Sequence, residues 1–367
     1  MIDSIKIIGY RCFKHFEMSG LGRINLLVGT NSSGKTSALE ALYLLATNSD
    51  PQTLWKIFTG RGELRMPEPA PGRQMQPESE LGNIFFGHKI KLGDSIQFSA
   101  LNGQKRFTRL EIVNANSDEN PQLFNMVNNE GPSEVSGRLA VSIENENNVK
   151  KSIPLTPRGG LRQDVVQIFN NIQIAQYRLG EPTQPINVQY ISNSSLTPQE
   201  LSSAWGSIVL TPDEDRVVSA LKSLDPNIER IAANSPYFLA QRGGFVVKVK
   251  NIDHPIPIGS LGDGVWRMLA LAISLIKSRN GILLIDEIDT GLHYSVMASM
   301  WKMIADSSKD YNIQIFATTH SSDCFKALAD IDESEISIHR VESGKEKSIR
   351  YSPAEIKSAA EYNIEVR

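Results

Sequence analysis

The segment Ile24-Asn25-Leu26-Leu27-Val28-Gly29-Thr30-Asn31-Ser32-Ser33-Gly34-Lys35-Thr36 decides the fold. Its first five residues read as a short apolar strand and Gly29 to Thr36 as a glycine-punctuated loop. Thr36 to Ala46 reads as a helix with Leu39, Leu42, Tyr43 and Leu45 on its buried side. The loop matches the P-loop pattern at every defining position. Small residues let the backbone curl so that several N–H groups point inward at a β-phosphate, and the start of the following helix adds its positive end. Lys35 is placed to reach β- and γ-phosphate oxygens, and the Thr36 hydroxyl to ligate Mg²⁺. Gly29, Asn31, Ser32, Ser33, Gly34, Lys35, Thr36 and Ser37 are the expected nucleotide-binding set. A dinucleotide fingerprint fits less well, because its GxGxxG spacing is missing and a lysine stands where triphosphate chemistry needs one.

A second stretch supplies acidic side chains. Gly281-Ile282-Leu283-Leu284-Ile285-Asp286-Glu287 is an apolar strand that ends in two carboxylates. Taken alone it also fits a surface turn or cap. Joined to a P-loop, its rigid edge places Asp286 to coordinate Mg²⁺ through water and Glu287 to polarise an attacking water.

Composition sets the outer limits. A chain of 367 residues with 40% hydrophobic content can bury the core of one large domain, or of a core domain carrying an insertion. The net charge of -3 offers no global attraction to nucleic acid or anionic lipid. Local basic stripes stay open at Lys89 and Lys91, at Lys105, Arg106 and Arg109, and at Lys248 and Lys250, beside the alternative of ordinary solvated strands. Cys12 and Cys324 alone give neither a disulfide framework nor a cysteine-rich metal site, and they fit a reducing compartment. The N-terminus alternates like a strand rather than a signal peptide, and the apolar stretches Leu269–Ile276 and Ile282–Ile285 are too short to span a bilayer. Cytoplasm is the expected location.

Along the chain, Gly60–Glu80 carries Pro67, Pro69, Pro71 and Pro77 and reads as an irregular excursion. Ser95–Ala100 and Arg106–Val113 suggest strands joined at Asn102-Gly103, Asn114–Glu134 a loop, and Arg138–Glu144 with Val149–Ile153 a second hairpin. In the middle, Asp164–Asn171 reads as a short helix, Ile186–Ile191 as a strand and Thr197–Ser207 as a polar helix or turn region. Pro212–Ala233 has a helical pattern divided at Asp225 by Pro226. Phe245–Val249 returns to strand pattern. The last third alternates helix Val265–Lys277, strand Ile282–Ile285, helix Tyr294–Ser307, strand Ile313–Ala317 and a short helix Ser322–Leu328. Strands Ile336–Val341 and Ser348–Tyr351 and a helix Pro353–Tyr362 follow, so a layered α/β core is expected. Neither a repeat nor a heptad run is visible, which argues against long coiled-coil arms.

This succession resembles the ABC-type ATPase heads of the structural-maintenance, recombination-repair and overcoming-lysogenization-defect proteins. Ile8-Gly9-Tyr10-Arg11-Cys12-Phe13-Lys14-His15-Phe16 is similar to the edge-strand segment before their P-loop. Asp289-Thr290-Gly291-Leu292-His293 stands where their D-loop lies, and Thr318-Thr319-His320-Ser321 where their switch histidine lies. Ser260-Leu261-Gly262-Asp263-Gly264 stands in the place of the ABC signature, with Asp263 departing from the common Leu-Ser-Gly-Gly-Gln form. The resemblance covers about 1–45 and 255–325 and is weak between them.

It implies an α/β fold: an ABC-type P-loop ATPase head with an N-terminal antiparallel β portion and a compact inserted α/β or helical arm. Residues 1–58 would form an N-terminal ATPase lobe and 244–367 a C-terminal lobe with signature, Walker B, D-loop and switch histidine. Residues 59–243 would form the insertion, with part of its strand region open to membership of the head. ATP and Mg²⁺ are the implied ligands, with Lys35, Glu287 and His320 catalytic and Thr36 and Asp286 at the metal. Ser260, Gly262, Asp263 and Gly264 would face the γ-phosphate of a partner head, and Asp289, Gly291, Leu292 and His293 would form the D-loop. Arg267 is open to two readings, offsetting Asp263 or facing solvent. Tyr10, Phe13 and Phe16 are open to contact with adenine or to packing of the N-terminal sheet.

The implied partner is a second copy or a related head, associated when ATP is bound. About 47 residues follow His320, too few for the topoisomerase-primase nuclease domain that the overcoming-lysogenization-defect group adds, so a standalone ATPase with a separately encoded effector is expected. DNA repair or antiviral defence is the favoured task, with DNA as a candidate ligand. A regulatory protein-interaction ATPase without direct DNA contact and a slowly hydrolysing nucleotide sensor are the alternatives.

Overall fold

In the computed structural model, the structure describes residues 1–66, 76–102, 104–115, 139–177, 186–192, 198–233, 244–329, 331 and 335–361. The expected loop at 116–134, Pro67, Pro69, Pro71 and the last six residues lie outside them, as does the Lys105 side chain.

The chain opens with β1 (Ser4–Tyr10), β2 (Phe13–Ser19) and β3 (Ile24–Val28), then α1 (Lys35–Ala46) and α2 (Pro51–Arg61). Short strands β4 (Leu64–Arg65) and β5 (Glu78–Glu80) lead to β6 (Ser95–Asn102), β7 (Gln104–Asn114), β8 (Leu139–Asn145) and β9 (Lys150–Pro154). Next come β10 (Gly160–Arg162), α3 (Gln163–Tyr177), β11 (Val188–Ile191), α4 (Pro198–Trp205), α5 (Pro212–Lys222), β12 (Ile228–Ala233), β13 (Phe245–Val249) and β14 (Ile256–Pro257). The C-terminal part is α6 (Asp263–Lys277), β15 (Ile282–Ile285), α7 (Tyr294–Asp310), β16 (Gln314–Thr318), α8 (Ser322–Ala329), β17 (Ile336–Arg340), β18 (Ile349–Tyr351) and α9 (Pro353–Glu361).

Two six-stranded sheets carry the molecule. One is antiparallel in the order β2-β1-β6-β7-β8-β9, and the other runs β11-β15-β16-β3-β17-β18. In the second sheet the first five strands are parallel and β18 returns antiparallel to β17. Parallel strands buried on both faces require apolar residues on both, which is why Ile24–Val28, Ile282–Ile285 and Gln314–Thr318 are buried throughout. Successive residues alternate between two cores. Leu26, Leu283, Ile285, Ile315 and Ala317 face a helical core with α6 and α7, whereas Leu27, Ile282, Leu284 and Phe316 face a second core shared with α1 and the antiparallel sheet. Helix α1 lies between the two sheets, touching β1 and β6 on one side and β15 and β16 on the other.

The structure departs from the sequence reading in two elements. Ile228–Ala233 is a strand paired with β13 rather than the second half of a helix, because Pro226 ends the helical run and a register shift between Ile228 and Arg230 brings both Ile228 and Ile231, three apart, into the helical core. Helix α3 runs on to Tyr177, past Asn171. The expected hairpins over 95–153 pair through β6 with β1, so they extend the N-terminal sheet. Strand β11 joins the parallel sheet beside β15, so the segment 59–243 contributes strands to both large sheets.

Candidate functional site

The parallel topology sets the site at the C-terminal ends of β3, β15 and β16, the edge where loops leave a parallel sheet side by side. The loop after β3 curls tightly, with Ser32 at φ 60° and Gly34 at φ 107°. A Cβ on Gly34 would lie 2.5 Å from Phe13 Cζ and 2.9 Å from Cys12 Sγ, so only glycine lets the β1–β2 turn press against the loop. Lys35 is buried, and its ammonium donates to the carbonyls of Gly29 (2.9 Å) and Thr30 (2.8 Å). Burial lowers its pKa to about 8, against the opposing pull of Asp286 and Glu287. Ser33 Oγ is buried against Gly29 without a hydrogen-bond partner. Asn31 and Ser32 are exposed and Ser37 is buried one turn into α1.

Thr36, Asp286 and Glu287 meet across this edge. Thr36 Oγ1 lies 3.1 and 3.0 Å from the two Asp286 carboxylate oxygens, and Thr318 Oγ1 lies 2.6 Å from Asp286 Oδ1. The Asp286 amide donates to the Ile191 carbonyl at 2.7 Å, which ties β15 to β11. Glu287 takes a left-handed backbone, φ 50°, as the chain leaves the strand; its amide donates to Thr318 Oγ1 at 2.8 Å, and Thr290 Oγ1 donates to its carboxylate at 3.2 Å. Thr319 Oγ1 donates to Asp289 Oδ1 at 2.6 Å. His320 follows on the same segment, partly exposed, with its pKa lowered by burial and by the Lys35 charge against the pull of Glu287, Asp289 and Asp286.

Ser260, Gly262 and Asp263 are exposed at the N-terminal end of α6. Gly264 approaches the neighbouring loop so closely that a Cβ there would lie 3.0 Å from the Gly291 carbonyl oxygen, and Asp263 stands beside Gly291. Leu292 is buried in the helical core. His293 caps α7, accepting from the Ser295 amide, and its ring lies 4.2 Å from that of the exposed Tyr294.

Three residues outside the expected set join the site. Arg267 is half-buried and turned to the acids: its Nη2 donates to the carbonyls of Asp286 (2.8 Å) and Glu287 (3.0 Å). Thr318 bridges both acids, and a hydroxyl residue directly after a buried strand was the available signal. Tyr190, half-buried on β11 near Asp286, left no signal because the pairing of β11 is not visible in sequence. Tyr10, Phe13 and Phe16 are core residues, with Phe13 and Phe16 stacked at 4.4 Å, so they are not an adenine surface.

The basic clusters do not make one stripe. Arg106 and Arg109 are three apart on a strand and point to opposite faces, Arg109 pairs with Glu111 at 3.2 Å, and Lys248 lies 3.9 Å from Glu229. Lys89 and Lys91 are exposed in a loop.

Fold and site together are those of a P-loop ATPase. Two family models match the chain: one described as an AAA ATPase domain over residues 1–124, the other as an AAA domain, putative AbiEii toxin, Type IV TA system, over 177–323. Both models describe AAA domains, and the chain is an ATPase. An ATP/GTP phosphatase of Helicobacter pylori (strain ATCC 700392 / 26695) is 24% identical over 343 residues, covering 89% of this chain and 87% of the relative. A DNA replication and repair protein RecF of Thermomicrobium roseum is 47% identical over 47 residues, 13% of this chain and 12% of that protein. Among solved structures, an Smc head domain with an extended coiled coil bound to the C-terminal domain of ScpA, derived from Pyrococcus furiosus, matches with TM-score 0.49 and 12% identity over 99% of each chain. An SmcHead bound to the C-winged helix domain of ScpA matches with TM-score 0.47 and 14% identity, over 96% of this chain and 97% of that one. Among the described residues no helix is long and apolar enough to cross a membrane.

Proposed function

We propose that the chain hydrolyses ATP in a Mg²⁺-dependent cycle coupled to head-to-head association with a second copy or a related head. The observation that carries this reading is the Thr36–Asp286–Thr318 cluster, with hydroxyl-to-carboxylate distances of 2.6 to 3.1 Å beside the buried Lys35. A hydroxyl and a carboxylate at that spacing suit a hard divalent cation, and the unpartnered Ser33 Oγ with the curled loop suits a phosphate. Thr36 and Asp286 would hold Mg²⁺, which supplies charge neutralisation between phosphate oxygens.

The remaining work belongs to the protein. Lys35 exchanges the Gly29 and Thr30 carbonyls for phosphate oxygens, and the amides of residues 31–36 donate to the β-phosphate. Glu287, oriented by its amide bond to Thr318 and by Thr290, orients the attacking water and accepts its proton. His320 donates to the γ-phosphate or to that water. The exposed Ser260, Gly262 and Asp263, with the half-buried Gly264, meet the γ-phosphate of the facing head, so hydrolysis removes the contact that holds two heads together. Asp289, Gly291 and His293 line the same contact, and Leu292 anchors their loop in the helical core.

The cycle drives or gates DNA repair or anti-phage defence through a separate effector. The RecF name of short-range relatives and the toxin–antitoxin wording of one family model support that task. The pairing of Arg109 with Glu111 and the nearness of Lys248 to Glu229 favour a second reading, in which the head gates a protein effector without touching DNA.

Steady-state ATPase activity and oligomer mass, with and without DNA and for the Glu287→Gln protein, test these statements. A long-lived ATP-bound dimer of that variant, absent with ADP, is the expected result. A nucleotide-independent monomer, or undiminished turnover in the variant, overturns the cycle. Stimulation by DNA selects the first task, and its absence the second.

A further inference from the structure

In an extended strand successive carbonyls point to opposite sides, so one donor cannot serve two neighbours. At the end of β15 the chain breaks that rule. Glu287 turns left-handed at φ 50°, and the carbonyls of Asp286 and Glu287 converge on one Arg267 nitrogen at 2.8 and 3.0 Å. Those two carbonyls border the peptide that carries both acidic side chains. A guanidinium suits the position because its nitrogens sit on a rigid planar group, whereas an ammonium on a flexible stem does not fix a direction.

Arg267 lies on the first turns of α6, the helix whose start presents Gly262, Asp263 and Gly264. The same start touches the loop beyond the acids, where Gly264 packs on the Gly291 carbonyl. Helix α6 therefore grips the segment from Asp286 to Gly291 at two points, one by hydrogen bonds and one by backbone packing.

We propose that Arg267 is a positioning residue for hydrolysis: it holds the 286–287 peptide in the left-handed turn that aims Glu287, and through α6 it links the surface that meets a partner head to the acid of its own chain. This rests on the assignment of Glu287 above. Arg267 is not a nucleotide ligand, so its loss acts on turnover and leaves binding in place. Engagement of a partner at the start of α6 tightens the grip, which makes each head's turnover depend on the other.

The test compares Arg267→Met, Arg267→Lys and Glu287→Gln with the wild type for kcat, KM for ATP, ATP-dependent dimer mass and thermal melting. In Arg267→Met the expected kcat falls by about tenfold or more while KM stays within about threefold and the dimer still forms. Arg267→Lys is expected between it and the wild type. A kcat within about twofold of wild type in Arg267→Met overturns the proposal. So does an equal loss of nucleotide binding and turnover in Arg267→Lys when that protein melts like the wild type. Full turnover in Glu287→Gln would instead remove the assignment beneath it, so the two failures are told apart.

Discussion

Thr318 donates a 2.6 Å hydrogen bond from Oγ1 to Asp286 Oδ1 and, through the same oxygen, accepts the Glu287 amide at 2.8 Å. One hydroxyl at the end of β16 thus fixes the two acids that end β15. Thr318→Val is expected to remove that partner from a part-buried amide, at a cost of about 1 kcal/mol in denaturant unfolding. Turnover should fall about tenfold, whereas Thr318→Ser should retain most of both. An ATPase rate unchanged by valine would remove Thr318 from the site.

Gly34→Ala should abolish nucleotide binding with little loss of secondary structure. The added methyl would sit 2.5 Å from Phe13 Cζ at a backbone φ of 107°, so the loop must shift to admit it. Titration of a fluorescent ATP analogue checks this, and an unchanged dissociation constant would show that the loop yields.

Glu40 is buried behind the P-loop helix and accepts from Tyr10 (2.9 Å), Arg11 (2.8 Å) and Arg61 (2.7 Å). Glu40→Ala would take away the carboxylate shared by Tyr10 and the Arg11 Nε, while Glu63 keeps its two bonds to the Arg11 guanidinium at 2.7 and 3.1 Å, so a loss of about 2–3 kcal/mol is expected. Arg61, whose side chain is 33% exposed, should cost only about 1 kcal/mol on truncation. Urea unfolding of both variants measures the difference, and equal costs would contradict it.

His339 sits fully buried between Ser337 and Ser348, and burial, with Arg350 nearby, lowers its pKa from 6.5 to about 4. Between those two values the unfolded chain binds the proton and the folded chain does not, so this group's contribution to stability falls as pH drops from 6.5 to about 4. The full effect is on the order of 3 kcal/mol. His339→Gln should flatten that acid limb in a series of pH-dependent melts, and a slope identical to wild type would exclude His339 as its source.

Much of this was legible in sequence, for identifiable reasons. Ile24–Thr36 and Gly281–Glu287 could be read because a buried parallel strand is mostly apolar and its chemistry follows at once. The hairpins over 95–153 showed through alternation and an Asn-Gly turn. What stayed hidden was partnership: nothing in Val188–Ile191 says that it pairs with β15, and nothing in Ile228–Ala233 separates a strand from a helix until β13 is beside it. Arg267 was hidden for the same reason, since its partners are backbone carbonyls 19 and 20 residues away. Long-range pairing with main-chain atoms leaves no residue type to recognise.

The strands β3, β15 and β16 send alternate residues into both cores, Leu26 against Leu27 and Ile315 against Phe316. A pull on the helical layer and a pull on the antiparallel sheet therefore arrive at one working edge. Packing on either face bears on the same three strands, and so on the edge where Thr36, Asp286 and Thr318 meet.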